Sequence, residues 1–283
     1  MKLQDYDSSS KHRATIVQND RLSAEHARRE VHEIVLELDG SMHALPGQNV
    51  GVLLPDESKG DDEVHFRLYT IADLPERREG MQRIHIQVRR HQYFDALTGE
   101  TYRGIASNFL CDSKAGDEIL ITGPYGQAFE IPPEPHANMI LIGAGTGIAP
   151  FRAFLKHVYR RYPEFTGQVY LFYGGETGLD LLYGNDQEKD ISLYYDRDTF
   201  EAIEALSNSN DPDSFRWSDA MRSRAKELAV LLSDPETFVY LAGLESIRDE
   251  LEATLCEVAG SNQRWYHWKE ELVEDERWFE LLY

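Results

Sequence analysis

The stretch that most narrows what this chain can become is Met139-Ile-Leu-Ile-Gly-Ala-Gly-Thr-Gly-Ile-Ala-Pro-Phe151. Met139 to Ile142 is apolar and rich in branched residues, as a strand buried on both faces requires. Glycines at 143, 145 and 147 end it. Pro150 then opens a helical pattern in which Phe151, Phe154, Leu155, Val158 and Tyr159 are the apolar positions. Glycines at such a turn let backbone N–H groups come close to a diphosphate, and the following helix N-terminus favours its charge. The spacing is not Gly-x-Gly-x-x-Gly, so the turn by itself leaves two readings open: a nucleotide site, or a tight strand-to-helix connection.

The same strand-then-helix grammar continues to the C-terminus. Val169 to Tyr173 ends in Gly174-Gly175, and Phe238 to Ala242 ends in Gly243 before a helix over Ser246–Val258. Asp198 to Leu206 reads as a helix and Trp265 to Trp268 as a final strand. Ligands of parallel sheets collect at the carboxyl ends of strands, where the turns at 143–147, Gly174 and Gly243 fall. Upstream, Pro132-Pro-Glu-Pro135 is the clearest linker signal, which divides the chain into domains at 1–135 and 136–283.

Before that linker the pattern is β. Ala14–Val17, Val31–Leu38, Asn49–Leu54, Phe66–Ile71, Ile84–Arg89 and Ile119–Thr122 are short strands at spacings that suggest an antiparallel barrel. Period-2 alternation puts Arg67 and Tyr69 on one face, where a guanidinium can hold a diphosphate while a ring stacks on a planar heterocycle. In Gly104-Ile-Ala-Ser-Asn108, Ser107 or Asn108 is a candidate helix N-cap, with free N–H groups suited to the same diphosphate. Taken singly, each piece reads as readily as structure: Tyr69 as a core aromatic, Arg67 as a surface charge.

Composition sets the outer limits. The 283 residues suffice for two domains, and 41% hydrophobic with 28% charged residues is ordinary for a globular chain. No apolar run approaches the roughly 20 residues of a membrane span. The net charge of 29 − 50 = −21 argues against nucleic acid and anionic membrane as partners. Cys111 and Cys256 are too few for an iron–sulfur cluster, and the histidines lack ligand spacing. The N-terminus has no apolar leader, and a cytoplasmic monomer is the expectation.

Five ordered segments carry a resemblance. Arg67-Leu-Tyr-Thr70, Gly104-Ile-Ala-Ser-Asn-Phe-Leu-Cys-Asp112, Gly123-Pro-Tyr-Gly126, Leu141 to Phe151 and Thr237-Phe-Val-Tyr-Leu-Ala-Gly-Leu244 closely resemble the corresponding motifs of ferredoxin–NADP(H) reductases. The resemblance runs from about Thr15 to Tyr283. It implies an antiparallel β-barrel FAD-binding domain followed by an α/β parallel-sheet domain for the nicotinamide nucleotide. It further implies that Arg67 contacts the FAD diphosphate, that Tyr69 stacks on the isoalloxazine, that Thr70 hydrogen-bonds near flavin N5, and that Leu68 between them belongs to the cofactor-binding set. Gln87, Val88, Arg89 and Tyr93 would flank the adenosine half, and Gly104, Ile105, Ala106 and Ser107 would cap the diphosphate. The nicotinamide nucleotide would lie on Gly145, Thr146, Gly147, Pro150, Gly174 and Gly243, with Tyr283 covering the flavin face.

The chain also departs from that family. Residues 184–195 look like an insertion similar to reductase components of ring-epoxidising systems. The Ser-Arg pair that holds the adenosine 2′-phosphate falls at Ser207-Asn208, which keeps the hydroxyl and loses the cation; Arg216 is a candidate replacement. NADP(H) against NAD(H) therefore stays open. Ala242 and Leu281 stand where the family has Cys and Glu, with Glu280 displaced by one position. The implied activity is electron transfer between NADP(H) and a ferredoxin or flavodoxin-like carrier. The alternatives are the reductase of an oxygenase, or a catalytically weak flavin-binding electron-transfer subunit.

Overall fold

The computed structural model describes residues 3–27, 29–55, 64–94, 97, 99–126, 128–144, 147–175, 199–208, 211–215, 217–243, 245 and 247–282. Its contacts separate into two compact units, residues 1–128 with 152–156 and residues 129–151 with 157–283. The proline run at 132–135 lies in the second.

The first unit is built from β1 (Lys11–Arg21), β2 (Val31–Asp39), β3 (Asn49–Pro55), β4 (Val64–Thr70), β5 (Glu76–Arg78), β6 (Met81–Arg89), a hairpin of β7 (Gln92–Phe94) and β8 (Thr101–Arg103), helix α1 (Ile105–Asp112) and β9 (Glu118–Tyr125). Seven of the strands form one sheet in the order β4-β3-β9-β1-β2-β6-β5, every pairing antiparallel. An antiparallel bridge from Ile71 to Ile86 brings the chain leaving β4 back onto β6, so the sheet curls towards closure. Alternation fills its interior: Ile34, Leu36 and Leu38 of β2 and Ile84, Ile86 and Val88 of β6 are fully or almost fully buried. Helix α1 closes this core with Ala106, Leu110 and Cys111.

The second unit contains β10 (Asn138–Ala144), α2 (Ile148–Arg161, of which residues 152–156 group with the first unit), β11 (Val169–Gly175), β12 (Phe200–Asn208), β13 (Asp211–Phe215), α3 (Trp217–Arg222), α4 (Ala225–Leu232), β14 (Thr237–Gly243), α5 (Ile247–Ala259), α6 (Asn262–Glu274) and β15 (Trp278–Leu282). The sheet runs β13-β12-β11-β10-β14-β15. Its five strands from β12 to β15 are parallel, and β13 is an antiparallel edge. Ile140, Ile142, Phe172, Leu241 and Trp265 anchor its main core.

Two segments differ from their local pattern. The chain expected as a helix over Asp198–Leu206 is strand β12, in register with β11 from Val169↔Phe200 to Gly175↔Leu206. Pairing along a central strand outweighs the helix preference of its Ala and Glu residues. The expected strand at Trp265–Trp268 is the second turn of α6. Ser261 caps that helix by accepting the Arg264 N–H at 3.3 Å, and Trp265 and Leu272, seven apart, form its buried stripe. Among the described residues no helix is long and apolar enough to cross a membrane.

Candidate cofactor-binding site

Strand β4 sets the first group of side chains. Its register on β3 places Arg67 opposite Val52 and Tyr69 opposite Val50, both valines wholly buried, so Arg67 and Tyr69 share the inward-turned face. Tyr69 is half-buried against the barrel core, and Arg67 is exposed. Burial pushes the Tyr69 phenol well above its usual range; the neighbouring Cys111 adds to this and Arg67 opposes it. The ring is therefore neutral and offers a flat face. Arg67 donates from Nη1 to the Phe66 carbonyl at 2.7 Å, and among the described residues no carboxylate forms an ion pair with it. Thr70 faces the other way and donates to Asn49 Oδ1 at 2.8 Å, across the β3–β4 ladder. Leu68 shares that face.

Helix α1 supplies the second group. It begins at Ile105 with Gly104 as N-cap, so Ser107 and Asn108 lie inside its first turn and do not cap it as expected. Their side chains are used differently. Ser107 Oγ accepts the His91 N–H at 3.1 Å, and Asn108 Nδ2 donates to Gly104 O at 2.8 Å and His91 O at 2.9 Å. No side chain caps the helix, so the N–H groups of its first turn are left for an external acceptor. The far end of α1 is held by Asn19 of β1, whose amide donates to Leu110 O at 2.9 Å and Ser113 O at 2.7 Å.

Strand β6 and the hairpin complete the barrel site. Val88 is a core residue. Gln87, on the opposite face, is buried with both amide atoms unpartnered among the described residues. Tyr93 on β7 is exposed and lies 6.5 Å from the Tyr102 ring on β8, tilted by 32°. Two exposed rings side by side present a surface on which a planar base can stack. Arg89 is half-buried at the end of β6, paired in register with Val31.

Close by, Glu30, His32 and Cys111 bring three ligand-type atoms within 4.8 Å of one another. The cation on this group is Arg90, which reaches Glu30 Oε1 at 2.9 Å. Burial pushes the Cys111 thiol up to about 12 against the pull of Arg90, so it is a neutral thiol. The cluster is thus an ion-pair network, and Arg90 is a residue that sequence reasoning missed. Its only signal was the second place in an Arg89-Arg90 pair.

In the second unit the glycine turns align. Gly143 is opposite Ala242, Ala144 opposite Gly174, and Gly243 opposite Leu282, all at the carboxyl edge of the parallel sheet. The chain leaves β10 towards β11 on one side and later returns to β14 on the other, which makes the β10/β14 boundary the switch point where such sheets bind ligands. Helix α2 starts at Ile148, two residues before Pro150, which sits in the first turn, where its missing N–H costs nothing. Gly147 is its N-cap, again with no side-chain cap. A Cβ there would lie 2.3 Å from Ala242 O, so the turn approaches β14 as closely as backbone allows. Gly243 has φ 146°, a conformation that suits glycine alone. Ser207 lies beyond the carboxyl end of the β11–β12 pairing. Gly145, Thr146, Arg216, Tyr283 and the stretch 184–195 lie outside the described residues. Glu280 is engaged by Arg248 and by Trp278 Nε1, both at 2.7 Å.

A curled antiparallel sheet closed by an uncapped helix, with a parallel sheet bearing glycine turns, defines a two-part nucleotide-binding protein. Residues 141–252 match the family described as the oxidoreductase NAD-binding domain. The chain is 31% identical over 274 residues to the cyanelle ferredoxin–NADP reductase of Cyanophora paradoxa, covering 93% of this chain and 74% of that protein. It is 32% identical over 266 residues to the chloroplastic leaf isozyme 1 of Arabidopsis thaliana ferredoxin–NADP reductase, covering 92% and 74%. The structure of Plasmodium falciparum ferredoxin–NADP+ reductase matches it with a TM-score of 0.75 over 98% of both chains at 22% identity, a likeness of fold. The chain belongs to the ferredoxin–NADP reductase family.

Proposed function

We propose that the chain is an FAD-dependent oxidoreductase that passes electrons between NADP(H) and ferredoxin. The observation that carries the reading is the pairing of Arg67 and Tyr69 on one face of β4 with an uncapped α1 N-terminus in the same barrel. These residues fit an FAD. The first-turn N–H groups and Arg67 suit a diphosphate, the neutral Tyr69 ring suits a flavin, and Tyr93 with Tyr102 suits an adenine. The orphaned Gln87 amide gains from any polar partner that a ligand brings. Bound FAD would supply the redox chemistry, accepting electrons in pairs and releasing them singly. The protein's own part is placement. Thr70 is oriented by Asn49, and the turns at Gly147, Gly174 and Gly243 keep backbone at the switch point clear of side chains. Tyr283 is proposed as the ring that covers the flavin until nicotinamide displaces it.

The test is direct. Purified protein should carry one non-covalent FAD, bleach on anaerobic addition of NADPH, and reduce ferredoxin. Protein that binds no FAD from a stoichiometric mixture would overturn the reading. Protein that bleaches with NADPH yet reduces no ferredoxin would keep the flavin site and overturn the partner.

A further inference from the structure

Arg90 follows β6, and its guanidinium meets three acceptors at once. Nη1 donates to Asn108 Oδ1 at 3.1 Å, and Nη2 reaches Asp112 Oδ1 at 2.8 Å and Glu30 Oε1 at 2.9 Å. With three acceptors taken and a side chain only 14% exposed, it is not a free cation for a ligand. Its effect passes through Asn108, which is buried. An amide has one acceptor end and one donor end. Because Arg90 can only donate, the Asn108 oxygen must face it, which points the NH2 at the carbonyls of Gly104 and His91. Those two carbonyls fix the N-cap of α1, and the Gly104 N–H closes the loop on His91 O at 3.0 Å. Arg90 and the two carbonyls thus select the same orientation from opposite ends, and the guanidinium anchors the amide between β6 and α1; a turned amide would set its NH2 against the guanidinium and its oxygen against two carbonyl oxygens.

We propose that Arg90 is a positioning residue that, through Asn108, holds the first-turn amides of α1 in the geometry that receives a diphosphate. The inference rests on the FAD reading above. Asp112 and Glu30 hold Arg90 in place, and the guanidinium keeps both carboxyls below their usual range. Lysine cannot span all three acceptors in one plane, so it restores the charge but not the amide orientation.

The experiment uses the full chain, stripped of flavin and titrated with FAD, as wild type, Arg90→Met, Arg90→Lys, Asn108→Ala and the Arg90→Met/Asn108→Ala double variant. Flavin fluorescence gives Kd, and 31P NMR reports the environment of the bound diphosphate. Arg90→Met is expected to weaken FAD binding at least tenfold and to move the 31P resonances. Arg90→Lys should fall between it and wild type, and the double variant should be no weaker than the worse single one. Should Arg90→Met not fold, Asn108→Ala alone must show the same loss and the same 31P change. If wild type binds FAD while folded Arg90→Met keeps its Kd and its 31P resonances, the inference is overturned and the FAD reading stands. If wild type binds no FAD, both fail together.

Discussion

Replacing Arg67 by alanine isolates one proposed contact from the rest of the fold. The side chain is exposed, it donates a hydrogen bond to the adjacent Phe66 carbonyl, and its loss leaves no described carboxylate without a cation. Folding stability should therefore change by no more than about 0.5 kcal/mol, the usual range for such surface sites. Binding should change more. A hydrogen bond to a charged group contributes about 1.5–3 kcal/mol, which is about 10- to 150-fold in Kd. The Tyr69 ring and the α1 amides remain, so FAD should still bind, only more weakly. The assay is titration of flavin-free protein with FAD, with thermal unfolding of the same sample as control. Arg67→Lys keeps the charge and loses the planar fork, and belongs between the two. A Kd within twofold of wild type for folded Arg67→Ala would remove this residue from the diphosphate.

Three further outcomes follow from other parts of the molecule. Gly147→Ala forces a Cβ to within 2.3 Å of a backbone oxygen, so unfolding in urea should show a loss of about 1–3 kcal/mol, and an unchanged midpoint would contradict the close approach. Tyr283→Ser should uncover the flavin face, lowering KM for NADPH and kcat together; unchanged values of both would take Tyr283 out of the site. In the first unit Arg152 pairs with Glu33 and, at 3.2 Å, with Asp73, while His85 and Lys156 flank them. Burial raises both carboxyls, but these partners outweigh it and hold them below their usual range. Their contribution is thus present above the unfolded carboxylate pKa, about 4, and is lost as pH falls through the folded values. Arg152→Met should cost on the order of 3 kcal/mol near neutrality and move the acid-unfolding midpoint to higher pH; an unmoved midpoint would refute the network's role.

What was legible in the sequence was whatever a short window fixes. The β10 run, the glycines after it, the barrel strands and the pairing of Arg67 with Tyr69 on one face all follow from period and turn chemistry, and the structure has them there. Two segments misled for opposite reasons. Phe200 to Leu206 repeats apolar residues three apart amid Glu and Ala, a local helix signal, yet seven residues of β11 lie beside it and its pairing is non-local. Trp265 to Trp268 is aromatic enough to read as a strand over four residues; over eight, the buried Trp265 and Leu272 reveal the helix.

The site shows the same division at finer scale. Sequence placed Ser107 and Asn108 at a helix start and took them for caps, because those residue types favour caps. The chain uses them one turn further in, against Gly104 and His91, and so leaves the helix end open. A capped helix has spent an N–H on itself; an uncapped one keeps it for a ligand. That choice depends on where His91 and Arg90 stand after β6, a relation between segments about 17 residues apart. Motif spacing nominates the residues of the candidate site, but only the fold decides which of them are left open and which hold the others still.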